Sequence, residues 1–369
     1  MRLISIDVLK EGMVLGRTIW NEAGHPLLKK DVIINARIMQ RLQQLNIHYL
    51  YIDDEISKGI EVEETVPPAI RNKAVTTIKS SFQSMDGCNP VSASYILDQQ
   101  SKTIVSIVDE LLSVVGGNDE ILTVLTDAYL FDEYLYQHSF QVTLYSIAIA
   151  KELGYSVEDL RLIGIGALLH DVGKLMVPKE ILTKPGRLTN DEFKAMQMHA
   201  RYGFDLLRNL HSISLLVAHC AFQHHERIDG SGYPRGLVDF EIHPFAKIIG
   251  VADVFDAVTT NRVYREKMLP SQGLAIVESG SGTLYDPRIV KALKRAVVHY
   301  PNGVILKLSD GRRGIVSKQN TLDAALPWIR IFEEQNQMLT ATYEINLVDY
   351  PAVMIESVET DYVAPPKVE

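Results

Sequence analysis

A histidine and an aspartate stand side by side at the end of an apolar run in this 369-residue chain. The run 167–169 leads directly to His170 and Asp171, and Gly173 and Lys174 follow. Adjacent side chains on a helix point about 100° apart, so this pair would flank a small object rather than share a face. Imidazole nitrogen and carboxylate oxygen together suit iron, manganese or zinc, and the second oxygen of Asp171 can bridge to another ion. The stretch therefore predicts a metal site, although a capped helix end has the same pattern.

More histidines and another aspartate lie in apolar segments around this pair. Seven of the eleven histidines fall between positions 138 and 225. One histidine on an apolar helix face is more often a core residue than a ligand, but several on separate predicted helices indicate one shared centre. A buried aspartate likewise costs free energy unless it is paired or bound to a cation. The candidate ligands are His138, His170, Asp171, His199, His224, His225 and Asp253.

Helices must position these ligands, because apolar residues recur at helical spacing from about residue 120 to about residue 300. Thr189 is predicted to cap the helix that carries His199. His224 and His225 end an apolar helix, and Asp253 lies inside another. A glycine-rich loop at 228–234 follows the histidine pair, and glycine lets backbone approach a ligand closely.

The rest of the chain divides into smaller parts. Residues 1–66 are predicted to form a mixed α/β domain, in which Asn35 caps a helix, and residues 67–125 a helical connector. After the helical domain at 126–300, an Asp-Gly turn at Asp310 predicts a β-rich segment at 301–358 and then a polar tail at 359–369. The predicted fold is therefore mainly α, with a central all-helical domain between a small mixed α/β domain and a small β-rich appendix.

Composition excludes several classes of protein. A net charge of −9 argues against general affinity for nucleic acid or anionic membranes. Cys88 and Cys220 are the only cysteines, so neither a disulfide framework nor a thiolate zinc site is expected. The N-terminus lacks a signal-peptide core, and no apolar run approaches the ~18 residues that a membrane span needs. A cytoplasmic protein without membrane insertion is expected.

The candidate ligands fall within spaced motifs that resemble the HD-GYP group of the HD phosphohydrolase superfamily. His170–Lys174 is similar to the HD motif of that group, and His224–Pro234 is similar to its HHE-DGSGYP motif. The stretches Lys184–Thr189 and Arg262–Arg265 match as well. Such an extended set of motifs, spread over the predicted helical domain, is highly specific.

The resemblance implies a bacterial phosphodiesterase that hydrolyses cyclic di-GMP to linear 5′-pGpG at a centre of two metal ions, with iron or manganese expected. In this chemistry two metals acidify a bridging water, and the hydroxide attacks phosphorus and expels the ribose 3′-oxygen. The motifs assign one ion to His138, His170, Asp171 and Asp253. They assign the other to Asp171, as the bridge, with His199, His224 and His225.

The resemblance also implies the substrate contacts. Lys174 is expected to contact the scissile phosphate and offset its growing negative charge, which makes Lys174 and Asp171 the expected catalytic residues. Arg262 and Arg265 would reach the same phosphates, unless they form surface salt bridges. Asp256 is expected to anchor a ligand. The residues expected to shape the wall around guanine are Asp229, Gly230, Gly232 and Tyr233.

The expected number of metal ions depends on one departure from the family pattern. Some members of the group hold a third metal through a glutamate four residues before the first histidine. Tyr134 occupies that position here. Glu133 is close in sequence, but a helix rotates it about 140° from His138. Two ions are therefore expected.

Three other functions stay open. The same centre could act on another nucleotide, or the chain could be a degenerate sensor that binds cyclic di-GMP without cleaving it. The intact ligand set argues against the sensor. A di-iron oxygenase is disfavoured by the predicted phosphate-binding cations Lys174, Arg262 and Arg265. The expected partners are cyclic di-GMP and a second copy of the chain, because the N-terminal domain resembles regulatory or dimerising modules.

Overall fold

The computed structural model describes residues 1–20, 26–45, 47–62, 66–117, 134–184, 186–260 and 268–363. The chain forms two compact units. One contains the segments Met1–Glu64 and Val298–Glu369, and the other contains Thr65–Val124 and Phe131–Val297. In the described ranges, no helix combines the length and the apolar character that a membrane span requires.

The N-terminal part of the first unit is mixed α/β, as predicted. Its elements are β1 (Arg2–Ser5), β2 (Val14–Leu15), β3 (Ile19–Trp20), β4 (Pro26–Leu28), α1 (Ala36–Gln44) and β5 (Tyr49–Asp53). Three strands form a sheet in the order β1-β5-β2, and β3 pairs with β4. The predicted cap of α1 is confirmed, because the Asn35 side chain accepts a hydrogen bond from the Ile38 N–H at 2.9 Å.

The C-terminal part of the first unit is a five-stranded antiparallel sheet. Its strands are β6 (Ile305–Leu308), β7 (Arg313–Lys318), β8 (Trp328–Glu334), β9 (Gln337–Asn346) and β10 (Ile355–Val358). They lie in the order β10-β6-β7-β8-β9. The hairpin predicted around Asp310 is confirmed, since Lys307 of β6 pairs with Arg313 of β7. The sequence pattern did not predict β10, which is short and mostly exposed.

The two ends of the chain belong to the same unit, although the sequence assigns them to separate domains. The Leu3 N–H donates a hydrogen bond to the Gly303 carbonyl at 2.9 Å. The Arg2 guanidinium donates to the Tyr362 carbonyl at 3.1 Å, within the segment predicted as a polar tail. These partners are hundreds of residues apart, so no local sequence pattern could pair them.

The second unit is built from helices. They are α2 (Pro68–Gln83), α3 (Pro90–Gly117), α4 (Tyr134–Glu152), α5 (Val157–Leu169), α6 (Lys179–Leu182), α7 (Asn190–Leu207), α8 (Leu215–Gln223), α9 (Pro244–Thr259), α10 (Pro270–Ser279) and α11 (Pro287–Ala296). The helices predicted for the connector correspond to α2 and α3. The central all-helical architecture is therefore as predicted.

Helix α5 lies in the core of this unit. It begins after Ser156, whose hydroxyl accepts a hydrogen bond from the Asp159 N–H at 3.2 Å. From Leu162 onward α5 is apolar on all sides, which requires burial, and the helix packs against α3, α4, α8 and α9. Its buried residues are Leu160, Ile163, Gly164, Ile165, Gly166, Ala167, Leu168 and Leu169. The C-terminal end of α5 therefore points its next residues into the protein interior.

Capping residues set the start of the other ligand-bearing helices. Thr189 and Glu192 form a capping box at the start of α7, which confirms the cap predicted at Thr189. The Ser214 hydroxyl accepts from the backbone at the start of α8, and the His243 ring does the same at the start of α9. Because each cap satisfies N–H groups that lack a partner within the helix, it places the helix start at a defined residue.

Candidate metal centre

The pair His170 and Asp171 stands where α5 ends. His170 is the C-cap residue of α5, and Asp171 is the N-cap residue of a short 3₁₀ helix at Val172–Met176. Both side chains are buried, with exposed fractions of 0% for His170 and 1% for Asp171. The change from α-helix to 3₁₀ helix turns the two side chains toward the same interior space.

Asp171 lies at the centre of four histidines and divides them between its two oxygens. Its Oδ1 is 3.4 Å from Nε2 of His199 and 3.9 Å from Nε2 of His224. Its Oδ2 is 3.4 Å from Nε2 of His170 and 3.6 Å from Nε2 of His138. A carboxylate in this position can ligate one ion on each side, which is the bridging arrangement predicted from the sequence.

Two clusters of potential ligand atoms result, and Asp171 belongs to both. His138, His170 and Asp171 form one cluster in which the ligand atoms lie within 4.8 Å of one another. Asp171, His199, His224 and His225 form the other cluster by the same distance. The second cluster is the ligand set that the motifs predicted for the second ion.

Asp253 touches both clusters. Its Oδ1 is 3.1 Å from Nε2 of His138, and its Oδ2 is 3.6 Å from Nδ1 of His225. The sequence predicted Asp253 as a ligand of the first ion only. The structure places it between the two sides, because α9 passes beside both α4 and the end of α8.

The histidine rings are held with defined nitrogens toward the centre. Nδ1 of His170 lies 2.6 Å from the Ala167 carbonyl, and Nδ1 of His199 lies 2.7 Å from the Met196 carbonyl. Nδ1 of His224 is likewise within hydrogen-bond distance of a carbonyl three residues earlier. A carbonyl oxygen only accepts, so each Nδ1 carries the proton and Nε2 keeps its lone pair for a metal.

His138 is oriented by a carboxylate instead of a backbone carbonyl. Its Nδ1 lies 2.6 Å from Oδ2 of Asp256, which is fully buried. The Thr260 hydroxyl donates to the other oxygen of Asp256 at 2.9 Å. This is the carboxylate–histidine arrangement that fixes the ring and raises the basicity of a metal ligand. The geometry agrees with the anchoring role predicted for Asp256.

Two buried polar atoms at the centre have no hydrogen-bond partner among the described residues. They are Nε2 of His170 and Oδ1 of Asp171. Buried polar groups are nearly always paired, and leaving one unpaired costs about 1–3 kcal/mol. A metal ion ligated by both clusters would satisfy these atoms, so the residues present fit the predicted metal ions.

The charges at the centre also suit a cation. Burial lowers the pKa of His199, and lowers the pKa of His224 and His225 much further, so these rings are neutral ligands at neutral pH. Burial alone would raise the pKa of Asp171, but the Lys174 ammonium and His170 hold it well below its usual range. Asp171 therefore remains an anion, as metal binding requires.

Close packing of two backbones brings the 3₁₀ helix against α7. A Cβ atom at Gly173 would lie 2.0 Å from the His199 carbonyl oxygen and 2.3 Å from the Gly203 nitrogen. Only glycine permits this approach. The sequence motif contained Gly173 but did not reveal that its role is to seat His199.

The side chain of Lys174 contacts Asp171. Its ammonium donates to Oδ2 of Asp171, and 20% of its side chain is exposed to solvent. Arg262 and Arg265, which were predicted to contact phosphate, lie outside the described residues. Glu133 lies outside them as well. Tyr134 is the first residue of α4, and its side chain is likewise not described.

Glu226, just after the end of α8, binds the backbone that directly follows the glycine-rich loop. The sequence motifs assign no separate role to this residue. Oε1 of Glu226 accepts from the Arg235 N–H at 2.8 Å, and Oε2 accepts from the Leu237 N–H at 2.9 Å. Glu226 is only 5% exposed. The signal in the sequence was its position directly after two candidate ligands.

The four residues predicted to line a guanine site fall in this loop. Gly232 packs against the α8 end, where a Cβ would lie 2.4 Å from the Arg227 nitrogen. Gly230 adopts a positive φ of 81°. Asp229 accepts hydrogen bonds from both the backbone N–H and the hydroxyl of Ser231. These three residues therefore have structural roles in the loop, whereas the Tyr233 ring faces the centre.

Comparisons with known proteins identify a family match and several relatives of this chain. The family model described as HD domain matches residues 128–289. A cyclic di-GMP phosphodiesterase of Pseudomonas aeruginosa, PA4108, is 29% identical, with 90% of this chain and 85% of that protein covered. A cyclic di-GMP phosphodiesterase of Thermotoga maritima is 35% identical over 65% of this chain and 64% of its own length. A 3′3′-cGAMP-specific phosphodiesterase, number 3 of Vibrio cholerae, is 42% identical over 46% of this chain and 36% of its own length.

Proposed function

Because this chain belongs to the HD-domain family, we propose that it is a metal-dependent phosphodiesterase that hydrolyses cyclic di-GMP to linear 5′-pGpG. The observation that carries the proposal is the division of four buried histidines between the two oxygens of Asp171. The substrate class follows from the names of two relatives that cover large shares of this chain.

The proposed cofactors are two metal ions, with iron or manganese favoured by a donor set of nitrogen and oxygen without sulfur. One ion would be held by His138, His170, Asp171 and Asp253. The other would be held by Asp171, His199, His224 and His225. When bound, such a pair of ions acidifies water, so that hydroxide is available for attack on phosphorus at neutral pH.

The residues around the centre supply binding and charge. Lys174 is partly exposed and sits on Asp171, so its ammonium can move to a phosphate oxygen and offset negative charge there. Asp256 holds the His138 ring, and Asp171 stays ionised between the two clusters. Arg262 and Arg265 remain predicted contacts to the same phosphates.

The proposed product is 5′-pGpG, with little GMP. Tyr134 occupies the position at which some family members use a glutamate for a third metal. A neutral phenol is a poorer metal ligand than a carboxylate that is charged at neutral pH. With two ions, the linear dinucleotide would be held less firmly for a second cut. The substitution Tyr134→Glu is expected to raise the metal content and the yield of GMP.

A second candidate substrate is 3′3′-cGAMP, because three relatives are named for it. Both molecules present a 3′–5′ phosphodiester between purine ribonucleotides, so the histidine centre alone does not distinguish them. We further propose a cytoplasmic homodimer in which the N-terminal domain at residues 1–66 has a regulatory or dimerising role.

The test is product chromatography with metal-loaded protein, supplied in parallel with cyclic di-GMP and 3′3′-cGAMP. Cleavage of cyclic di-GMP to 5′-pGpG is expected, with Asp171→Ala inactive and depleted of metal. Asp191→Ala serves as the matched control, because the Asp191 side chain is 95% exposed on α7. Binding of cyclic di-GMP without cleavage would indicate the sensor, and faster cleavage of 3′3′-cGAMP would reassign the substrate. Full turnover by Asp171→Ala would refute the metal centre.

A further inference from the structure

Among the described residues, the centre is buried where four histidines surround it and is exposed to solvent beside two other residues. The side chains of His138, His170, His199 and His224 are 0–1% exposed. Lys174 is 20% exposed and His225 is 18% exposed, so these two residues mark the open side. A phosphate can therefore reach the centre past Lys174 and His225.

Tyr233 lines this opening. Its ring lies over the His225 ring, with centroids 4.6 Å apart and planes inclined by 30°. Its backbone N–H also donates to the His225 carbonyl at 3.2 Å. Glu226 accepts hydrogen bonds from the Arg235 and Leu237 N–H groups, which anchors the chain just after Tyr233.

Phe193 extends the aromatic wall outward. Its ring meets the Tyr233 ring edge to face, with centroids 6.4 Å apart and an interplanar angle of 77°. Phe193 is 49% exposed, although it stands on α7, the same helix that presents His199. A single exposed aromatic residue is ordinary in a folded protein. Phe193 differs from such a residue because it contacts Tyr233, whose ring packs on the candidate ligand His225 at the exposed side of the centre.

We propose, on the basis of the function proposed above, that Phe193 stacks on a purine base of the bound dinucleotide. The scissile phosphate carries a nucleoside on each side, so a base enters the same opening when the phosphate reaches Lys174. Aromatic side chains bind bases by stacking on their π faces, with little dependence on which base is present. Phe193 thus selects for a nucleotide over a simple phosphodiester, while the metal centre selects for the phosphate.

Steady-state kinetics with cyclic di-GMP provide the first test. Loss of one stacking contact is worth about 5- to 150-fold in affinity, so Phe193→Ala should raise KM by that factor with kcat nearly unchanged. Phe193→Trp should restore KM because it keeps a π face, whereas Phe193→Leu should not. Tyr95→Ala is the control, because Tyr95 is an aromatic residue 67% exposed on α3. An unchanged KM in Phe193→Ala would overturn the proposal.

Calorimetry with two probes separates base stacking from effects on the centre. Phe193→Ala should weaken binding of GMP to the metal-loaded protein and leave binding of inorganic phosphate and the metal-to-protein ratio unchanged. Equal weakening of both probes, or loss of metal, would show that Phe193 only supports the centre and would refute the stacking role. If the unaltered protein does not cleave cyclic di-GMP but binds GMP through Phe193, the proposed function fails and the purine site stands.

Discussion

Substitution of Gly173 by alanine tests how the centre is assembled from separate helices. The added Cβ would lie 2.0 Å from the His199 carbonyl oxygen and 2.3 Å from the Gly203 nitrogen, whereas real Cβ contacts below 3.0 Å essentially never occur. Both obstructing atoms belong to the backbone, so no side-chain rotation can relieve the clash. The 3₁₀ helix and α7 must therefore separate by about 1 Å at His199, a candidate metal ligand.

A displacement of this size is large for a catalytic site. A misplacement of about 1 Å can lower the rate about 100-fold, so kcat of Gly173→Ala is expected to fall by at least that factor. Overpacking of this kind costs typically about 1–3 kcal/mol, and the midpoint of thermal unfolding should fall by about 2–4 °C for each kcal/mol. Metal content should also fall, because His199 moves away from Asp171.

The assays are turnover of cyclic di-GMP, elemental analysis of the purified protein and thermal unfolding. Gly203→Ala is the matched control, because Gly203 lies on α7 and its Cβ would come no closer than 3.3 Å, to the Ala221 side chain. That variant should keep its metal and most of its activity. If Gly173→Ala kept wild-type turnover and metal content, the close packing at Gly173 would not be what positions His199.

Three further predictions concern charge around the centre. Asp256→Asn removes the anion that holds His138, so the affinity for metal, measured by titration, should fall about 10- to 100-fold while the fold survives. An unchanged affinity would contradict the anchoring role of Asp256. Lys174→Ala should lower turnover by about 10²–10³ without loss of metal, and a metal-free variant with normal rate would reverse this assignment. Acidification should destabilise the metal-free protein, because burial keeps three histidines from binding protons that the unfolded chain binds near pH 6.5. The unfolding midpoint after chelation should therefore be lower at about pH 5.5 than at about pH 7.5, and an equal midpoint would show that these rings protonate freely. The histidines concerned are His199, His224 and His225.

The pH prediction has an opposite counterpart at His138. Burial alone would lower its pKa, but hydrogen bonds to Asp253 and Asp256 raise the pKa of His138 to about 9. A raised pKa in the folded state contributes stability that is fully present below the unfolded value and is lost as the pH rises through about 9. As the pH falls from about 7.5 to about 5.5, this contribution of His138 grows and opposes the loss, but three histidines outweigh one and decide the sign.

Features that depend on neighbours in the sequence were predictable from the sequence alone. The caps at Asn35 and Thr189 involve atoms within three residues of each other, and the structure confirms both. The hairpin around Asp310 was predictable for the same reason. The candidate ligands were predictable because histidines and aspartates in apolar segments are costly to bury unless they are paired or bound to a cation. Their membership in one centre was an inference from residue type that the geometry supports.

Other features depend on contacts between distant residues, and only the tertiary structure decided them. The position of Asp253 between both clusters follows from the packing of α9 beside α4 and the end of α8, which no spacing along the chain encodes. The reason for glycine at position 173 is visible only when α7 lies against it. The pairing of Leu3 with Gly303 likewise joins two segments that a local pattern assigns to separate domains. Residue types and local spacing determine which atoms can bind a metal, but helix packing determines which oxygen of Asp171 each histidine meets.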